Sequence, residues 1–373
     1  MTFLIQNVKI EVNTIIEKDT IKLSKKVTTF DIAESLGLSR NTVSKALNNH
    51  PSIPEETRRR VIEQAAAMGY KKVPPLPSLS ADAKAESRES IAYVTRSHLH
   101  ISSFWMNVLH GVEQVASKQG FELKVGFISD EQIAGLELPA LLDTEIRGVI
   151  VGGALNRHYT EAILGKHIPK VLIDICPDTE LSGLEADVVS MENEDCVYRI
   201  TRQLLRSGCG EIGFIGDIAS SRSFMERWLG FQRAVAEFGG TVDRACSLID
   251  ESPDSYQTYE DVARAMSTLS RLPQAFVCAN DRIALSAIRY LRSIGKRVPG
   301  DIAISGFDGI GEADFLDFSL TTVAHDEFHL GARAAEQLIA RLRHPAKPYE
   351  TVRLASRLVW GDSTRRSGED RPE

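Results

Sequence analysis

Arg40, Asn41, Ser44 and Lys45, spaced along the short stretch SRNTVSKAL at residues 39–47, carry the side chains that a nucleic-acid duplex asks for. Cations and an amide donate to base edges, and a hydroxyl donates to phosphate. They cluster near a helix start, where unbonded backbone N–H groups also favour anions. This chemistry needs a helix held at a fixed angle by a neighbour, and the surrounding residues provide one. Thr28 stands ahead of TFDIAESL with Asp31 as its capping-box-like partner, and Ile32, Ala33 and Leu36 form an apolar stripe. Gly37 permits a tight turn, Ser39 caps the second helix, and Val43, Ala46 and Leu47 turn inward against the first. A third helix is expected from Pro54, burying Val61, Ala65 and Met68. Such an arrangement is a helix-turn-helix, which places its second helix in the major groove.

Charge separates this from an ordinary helical bundle. Residues 20–72 hold ten Lys and Arg against five acids, a net +5, whereas the whole chain is −7, so the remainder is −12. A basic headpiece on an acidic body confines attraction for phosphate to one end of the molecule.

The run VTTFDIAESLGLSRNTVSKALNN, followed by a third helix ending MGY, resembles the headpiece of the lactose/galactose repressor family of bacterial transcription regulators. The resemblance implies that Arg40, Asn41 and Lys45 read bases, while Thr28, Ser39, Thr42, Ser44, Asn48 and Thr57 touch the backbone. Asn48 and Thr57 serve equally well as local caps. Residues 1–26 precede the first family-like residue and match nothing. The headpiece, residues 27–72, leads into a Pro-rich hinge linker at 73–90. Family members form a short helix there that wedges a leucine into the minor groove, and Leu79 sits at that position. Pro74, Pro75 and Pro77 stand where the helix would begin, so the alternative is Leu79 packing the linker on the body.

From Ile91 to about 364, β-branched runs alternate with amphipathic segments, as in parallel sheets flanked by helices. One set comprises IAYV, a helix at 105–119, FELKVGFI, GVIVGG and VLIDI; a second comprises GEIGFIGD, a helix at 227–238, CSLID, AFVCAND and DIAISGFDG. The expected fold is therefore an N-terminal all-α helix-turn-helix headpiece plus an α/β two-lobed domain with parallel sheets. This body resembles the family's sugar-binding core, itself periplasmic-binding-protein-like. Open parallel sheets bind ligands beyond the carboxyl ends of their strands.

At such places stand Arg227 in SFMERWLGF, Asn280 and Asp281 in FVCANDRIA, and Asp308 in ISGFDG. By resemblance Arg227 clasps a ligand hydroxyl or carboxylate. An Asp, Asn and Arg set suits a polyol, whose hydroxyls donate to carboxylate and accept from guanidinium and amide. Asp281 has a rival role as cap of the following helix. Aromatic faces stack on sugar rings; by resemblance Phe104 and Trp105 match a family pair near the cleft mouth, with Tyr256 and Trp228 further candidates, while core packing is an equal alternative for each of the four and Phe231 is assigned to core. His325 occupies a position that approaches ligand from a strand crossing between lobes, or else is a structural histidine. Two departures from the family pattern are Gly361 before Asp-Ser-Thr, where an arginine is usual, and Glu192-Asn193 in place of Asp-Asn.

Composition bounds the rest. A chain of 373 residues, 43% hydrophobic and 25% charged, buries a sizeable core and divides into domains. No apolar run approaches the ~20 residues that span a bilayer, and the opening residues lack a signal-peptide core, so a cytoplasmic protein is expected. Its five scattered cysteines form no CxxC pair. The polar stretch at 365–373 reads as a flexible tail without leucine heptads. The expectation is a DNA-binding transcription regulator, a repressor, acting as a homodimer on double-stranded operator DNA under a small-molecule effector, a sugar. No cofactor, metal or membrane is involved. A same-fold regulator answering to a partner protein is the alternative. An enzyme using Asp281 and Asp308 as acid and base is disfavoured by the lack of a phosphate loop, a GxSxG elbow or a metal-ligand cluster.

Overall fold

The computed structural model describes residues 28–47, 53–54, 57–58, 60–61, 64–65, 89–97, 102–252, 256–311, 313 and 316–365. Expectations for residues 1–26, the hinge linker with Leu79, Asn48, Met68 and residues 366–373 lie outside the described residues. The chain falls into two compact units, Met1–Glu86 and Ser87–Glu373.

In the first unit, α1 (Thr29–Leu36) and α2 (Arg40–Leu47) form as their caps dictate. The Thr28 hydroxyl accepts the Asp31 N–H while the Asp31 carboxylate takes the Thr28 N–H at 2.7 Å, completing the capping box. Gly37 ends α1 in the left-handed region at φ 65°. The Ser39 hydroxyl accepts the Thr42 N–H at 3.0 Å and so caps α2. Ile32, Ala33, Val43, Ala46, Val61 and Ala65 make one small core, with Leu36 and Leu47 packed on its edge. The third helical stretch starts where Pro54 accepts the Arg58 N–H at 2.9 Å.

The second unit consists of two lobes. In chain order its first lobe holds β1 (Ser90–Arg96), α3 (Ser103–Lys118), β2 (Glu122–Ile128), α4 (Asp130–Gly135), β3 (Val149–Gly152), α5 (Arg157–Leu164), β4 (Lys170–Ile173) and β5 (Asp187–Met191). The second lobe holds α6 (Glu194–Arg206), β6 (Ile212–Ile215), α7 (Arg222–Glu237), α8 (Tyr259–Ser267), β7 (Ala275–Cys278), α9 (Asp281–Ser293), β8 (Ala303–Ser305) and β9 (Thr322–Ala324). The chain then returns for α10 (Glu327–Arg343) and β10 (Thr351–Leu354) of the first lobe, and crosses back for β11 (Arg357–Val359). The first lobe's six strands run parallel in the order β10-β5-β4-β3-β1-β2; the second lobe has the parallel set β6-β7-β8, with β9 and β11 paired antiparallel.

Alternation along the first-lobe strands sorts them between two helical layers, as a pleat of period two requires. Ile91, Tyr93, Ile150 and Val171 face α3 and α10, whereas Ala92, Val94, Val149 and Leu172 face the layer containing Tyr159 and Ile163 of α5. The helices α3 and α10 touch backbone to backbone. A Cβ added at Gly111 would lie 1.9 Å from the Phe328 carbonyl oxygen, and one at Gly331 would lie 1.9 Å from that of Val108. Only glycine fits at either point. A bidentate ion pair between Arg341 of α10 and Asp187 of β5, at 2.8 and 2.9 Å and almost fully buried, fixes the other end of α10.

Several element boundaries differ from expectation. Ser90 belongs to β1, not the linker, because its hydroxyl donates to Glu122 at 3.1 Å and its backbone pairs with β2. CSLID is no strand: the Ser247 hydroxyl takes the Phe214 N–H at 3.1 Å, and one isolated bridge, between Ile215 and Leu248, remains. The strands β5 and β10 were not expected; they pair with each other along residues 188–191 and 351–354.

Candidate effector cleft and nucleic-acid interface

The three crossings between lobes, at residues 191–194, 324–327 and 354–357, bring the strand-end residues together. Arg227 lies within the first turns of α7 and is 3% exposed. Its Nε donates to Asn193 Oδ1 at 3.1 Å, and its guanidinium donates to the Ala279 carbonyl at 2.6 Å. The guanidinium plane sits 3.6 Å from the Phe307 ring centroid, a cation–π contact in an apolar setting. Toward Asp308 it reaches only an ion-pair distance of 3.6 Å. Burial lowers the affinity of Arg227 for its proton, opposed by Asp308, Asp174, Asp281 and Glu226.

Asp308 is held in a backbone conformation that side chains rarely adopt, at φ 115°. Its N–H pairs with the Val323 carbonyl, and among the described residues nothing hydrogen-bonds its carboxylate. Burial raises that carboxyl from 3.8 to about 7, with Arg227 pulling the other way and Asp281 and Glu327 adding to the rise. His325, on the second crossing, is flanked by Phe104 at 5.4 Å and Phe307 at 5.8 Å. Both its ring nitrogens are buried without a hydrogen-bond partner. Desolvation, with Arg227 assisting, depresses its protonation from 6.5 to about 3, so it is neutral. A guanidinium, a carboxylate and an imidazole therefore surround the Phe307 ring with unmet hydrogen-bonding capacity, the arrangement that an enclosed polar ligand completes.

The remaining expected residues divide. Asn280, not Asp281, caps α9: its Oδ1 accepts the Ile283 N–H at 2.9 Å, leaving Nδ2 within 3.4 Å of Gln257. Asp281 instead reaches back to hold the 309–310 turn, accepting the N–H groups of Gly309 at 2.7 Å and Ile310 at 3.0 Å and the Thr322 hydroxyl at 2.7 Å. It thereby fixes the backbone that presents Asp308. Phe104 and Trp105 form an edge-on pair at 5.0 Å, both half-buried at the start of α3. Tyr256 is packed into the second lobe's core, 5% exposed, with its hydroxyl donated to the Asp250 carbonyl, so its ring offers no open face. Trp228 likewise is core, stacked on Phe231 at 5.4 Å. At Gly361 an added Cβ would come within 2.5 Å of the Leu320 backbone, so an arginine has no room there and the strand closes on the chain instead. Sequence reading passed over Asn193 as a bonded partner of Arg227, and over Phe307. Their signals were a polar pair at a strand end and an aromatic immediately before a strand-end acid.

In the headpiece Arg40 and Asn41 are exposed and Thr42, Ser44 and Lys45 half-buried, while the Ser39 and Thr42 hydroxyls lie 2.8 Å apart. Thr57 is half-buried. Phe30, not anticipated, leaves 61% of its surface in water. Among the described residues no helix is long and apolar enough to cross a membrane, and no group of three or more His, Cys, Asp or Glu is placed to hold a metal.

Comparison with known proteins accords with this geometry. Residues 28–72 match the model of bacterial regulatory proteins of the lacI family, and residues 201–364 match that of the periplasmic binding protein-like domain. Similar proteins include the HTH-type transcriptional repressor PurR of Vibrio cholerae serotype O1 (strain M66-2), 28% identical with 90% of this chain and 97% of the relative covered. The PurR of Mannheimia succiniciproducens is 26% identical, covering 90% and 98%. Among solved structures, a transcriptional regulator CelR–cellobiose complex aligns with a TM-score of 0.63 at 21% identity, over 90% of this chain and 99% of that one. The lac repressor dimer bound to operator and the anti-inducer ONPF aligns with a TM-score of 0.62 at 22% identity, over 91% and 99%. A helix-turn-helix segment followed by two parallel-sheet lobes is the architecture on which these similarities fall: residues 28–72 carry a lacI-type DNA-binding segment, residues 201–364 a periplasmic binding protein-like domain, and the chain is a DNA-binding transcription regulator.

Proposed function

We propose that this regulator is a repressor whose operator affinity is set by a small sugar or sugar derivative bound between the lobes. The observation that carries the reading is the trio Arg227, Asp308 and His325 around Phe307, each with hydrogen-bonding capacity that the protein leaves unfilled. Neutral hydroxyls match it: one donates to Asp308, another accepts from Arg227, and His325 serves as donor or acceptor. Phe104, half-buried beside His325, is the aromatic surface on which the apolar face of a sugar ring would stack. Asn280 contributes its amide from the α9 cap. An enclosed polar trio of this kind favours a small molecule over a partner protein as the signal.

The reader of DNA is α2, with Arg40, Asn41 and Lys45 as base contacts and Thr28, Ser39, Thr42, Ser44 and Thr57 as backbone contacts. Two headpieces address a near-palindromic operator when two copies pair. Support for pairing comes from β2, the edge strand of the six-stranded sheet, where Val125 is 39% exposed. Ligand acts through differential affinity for the lobe arrangements that suit or spoil operator spacing.

A thermal-shift screen against neutral sugars, sugar acids and sugar phosphates tests the site. A sugar that binds the folded state raises the melting temperature of the natural protein, and Arg227→Met removes that rise. An equal rise in the variant would place the ligand elsewhere.

A further inference from the structure

The first turns of α7 touch both lobes at once. Helical spacing puts Ser223, Glu226 and Arg227 on neighbouring positions of one face. Ser223 donates its hydroxyl to Asp174 of the first lobe at 2.5 Å, and the Arg222 N–H donates to the Ile175 carbonyl at 2.7 Å. Glu226, one residue before the arginine of the cleft, accepts from Arg353 of β10 at 2.6 Å through one carboxylate oxygen and from Asn193 Nδ2 at 2.9 Å through the other. Asn193 is 1% exposed and bonds Arg227 with its own oxygen at 3.1 Å. Its amide therefore bridges two adjacent residues of α7. The same amide also donates to the Met191 carbonyl at 3.0 Å, which ties the bridge to the first crossing.

The third crossing is joined to the first directly: the Glu192 N–H donates to the Leu354 carbonyl at 2.7 Å, and the Ser356 hydroxyl donates to the Glu192 carbonyl at 2.9 Å. Arg353 is the residue next to that junction. A continuous path of bonds thus runs from the guanidinium in the cleft through Asn193 and Glu226 to Arg353 in the other lobe, passing two of the three chain crossings.

We infer that Asn193, Glu226 and Arg353 form a positioning relay that holds the lobes closed around Arg227 and converts a change at Arg227 into a change of lobe angle. Glu226 is the pivot, since its carboxylate is shared between the lobe-spanning ion pair and the amide that orients Arg227. Its side chain is 15% exposed and that of Arg353 is 44% exposed, so the pair is screened enough to open and shielded enough to matter. This inference rests on the effector reading for its purpose, but the closure it describes exists without any ligand.

Hydrogen–deuterium exchange on the full-length protein tests it, with residues 191–195 and 353–357 read against the β3 core as an internal standard. In Glu226→Gln and in Arg353→Leu, exchange at both crossings rises roughly fivefold while β3 keeps its protection. Arg353→Lys retains near-natural protection because it keeps the charge. The double variant Glu226→Gln/Arg353→Leu exchanges no faster than the worse single variant, because the two act through one contact. Natural exchange at both crossings in both single variants would overturn the relay, as would additive effects in the double variant. If no sugar stabilises the natural protein in the screen above, the effector reading fails, while the exchange result still decides the relay.

Discussion

Asp308 and His325 titrate in opposite senses, which makes the cleft visible to pH. The Asp308 carboxyl is higher folded, at about 7, than its ordinary 3.8, so between those values the folded protein holds the extra proton and stability falls as pH rises. The His325 imidazole is lower folded, at about 3, than its ordinary 6.5, so between those values the unfolded chain holds the extra proton and stability rises with pH. In the natural protein the two slopes oppose each other across about pH 4 to 6.5. Relative to the natural protein, Asp308→Asn tilts the pH dependence of the denaturation midpoint upward over this window, and His325→Phe tilts it downward, while the raised Asp281 and Glu327 carboxyls contribute equally to all three proteins. Parallel slopes in the two variants would contradict the assigned burial. At the other unit, Arg40→Ala weakens operator binding by about 1–3 kcal/mol in a fluorescence anisotropy titration and leaves any sugar-induced melting shift unchanged. Local structure was legible from sequence where a motif fixed the backbone, as in the Thr28–Asp31 cap; of the ligand candidates, Arg227 and Asp308 come together at 3.6 Å, whereas Asn280 takes the capping role expected of Asp281. It was not legible where a partner came from far along the chain. Asp281 shows this: its partners Gly309 and Thr322 lie 28 and 41 residues away, and local sequence offers only the role of helix cap.

Among elements, the crossing of α3 and α10 is governed by two glycines whose hydrogens face the opposing backbone. Gly331→Ala forces the helices apart or strains them, and a destabilisation of at least ~2 kcal/mol is expected in urea unfolding, within the range for overpacked cores. A variant as stable as the natural protein would mean that the helices slide without cost. The edge strand β2 makes a different prediction: Val125→Glu shifts the protein from dimer to monomer in sedimentation and weakens operator binding, because one headpiece then addresses one half-site. Strands with continuous apolar runs, such as GVIVGG and AFVCAND, were readable as buried parallel strands. β5 and β10 were not, because β10 is short and half-polar, with burial alternating along it, and its pairing with β5 spans the whole second lobe. CSLID failed the other way, apolar enough to be a strand but with Ser247 supplying the Phe214 hydrogen bond from its side chain.

For the molecule as a whole, charge and topology assign separate tasks to separate units. The cations proposed to read bases stand on a helical unit with a small core of its own, and the groups proposed to sense ligand stand near the three chain crossings between the lobes. Effector control requires that occupancy of this cleft change affinity for duplex DNA. Its most direct measurement is anisotropy of a labelled duplex, selected by the protein from a random pool, titrated at about 100 mM salt with and without the sugar that raises its melting temperature. Operator affinity is expected to change by about 5- to 150-fold, the range of typical coupling between linked sites, and without sugar to fall steeply with added salt. Equal duplex affinity with the cleft empty and saturated would contradict it.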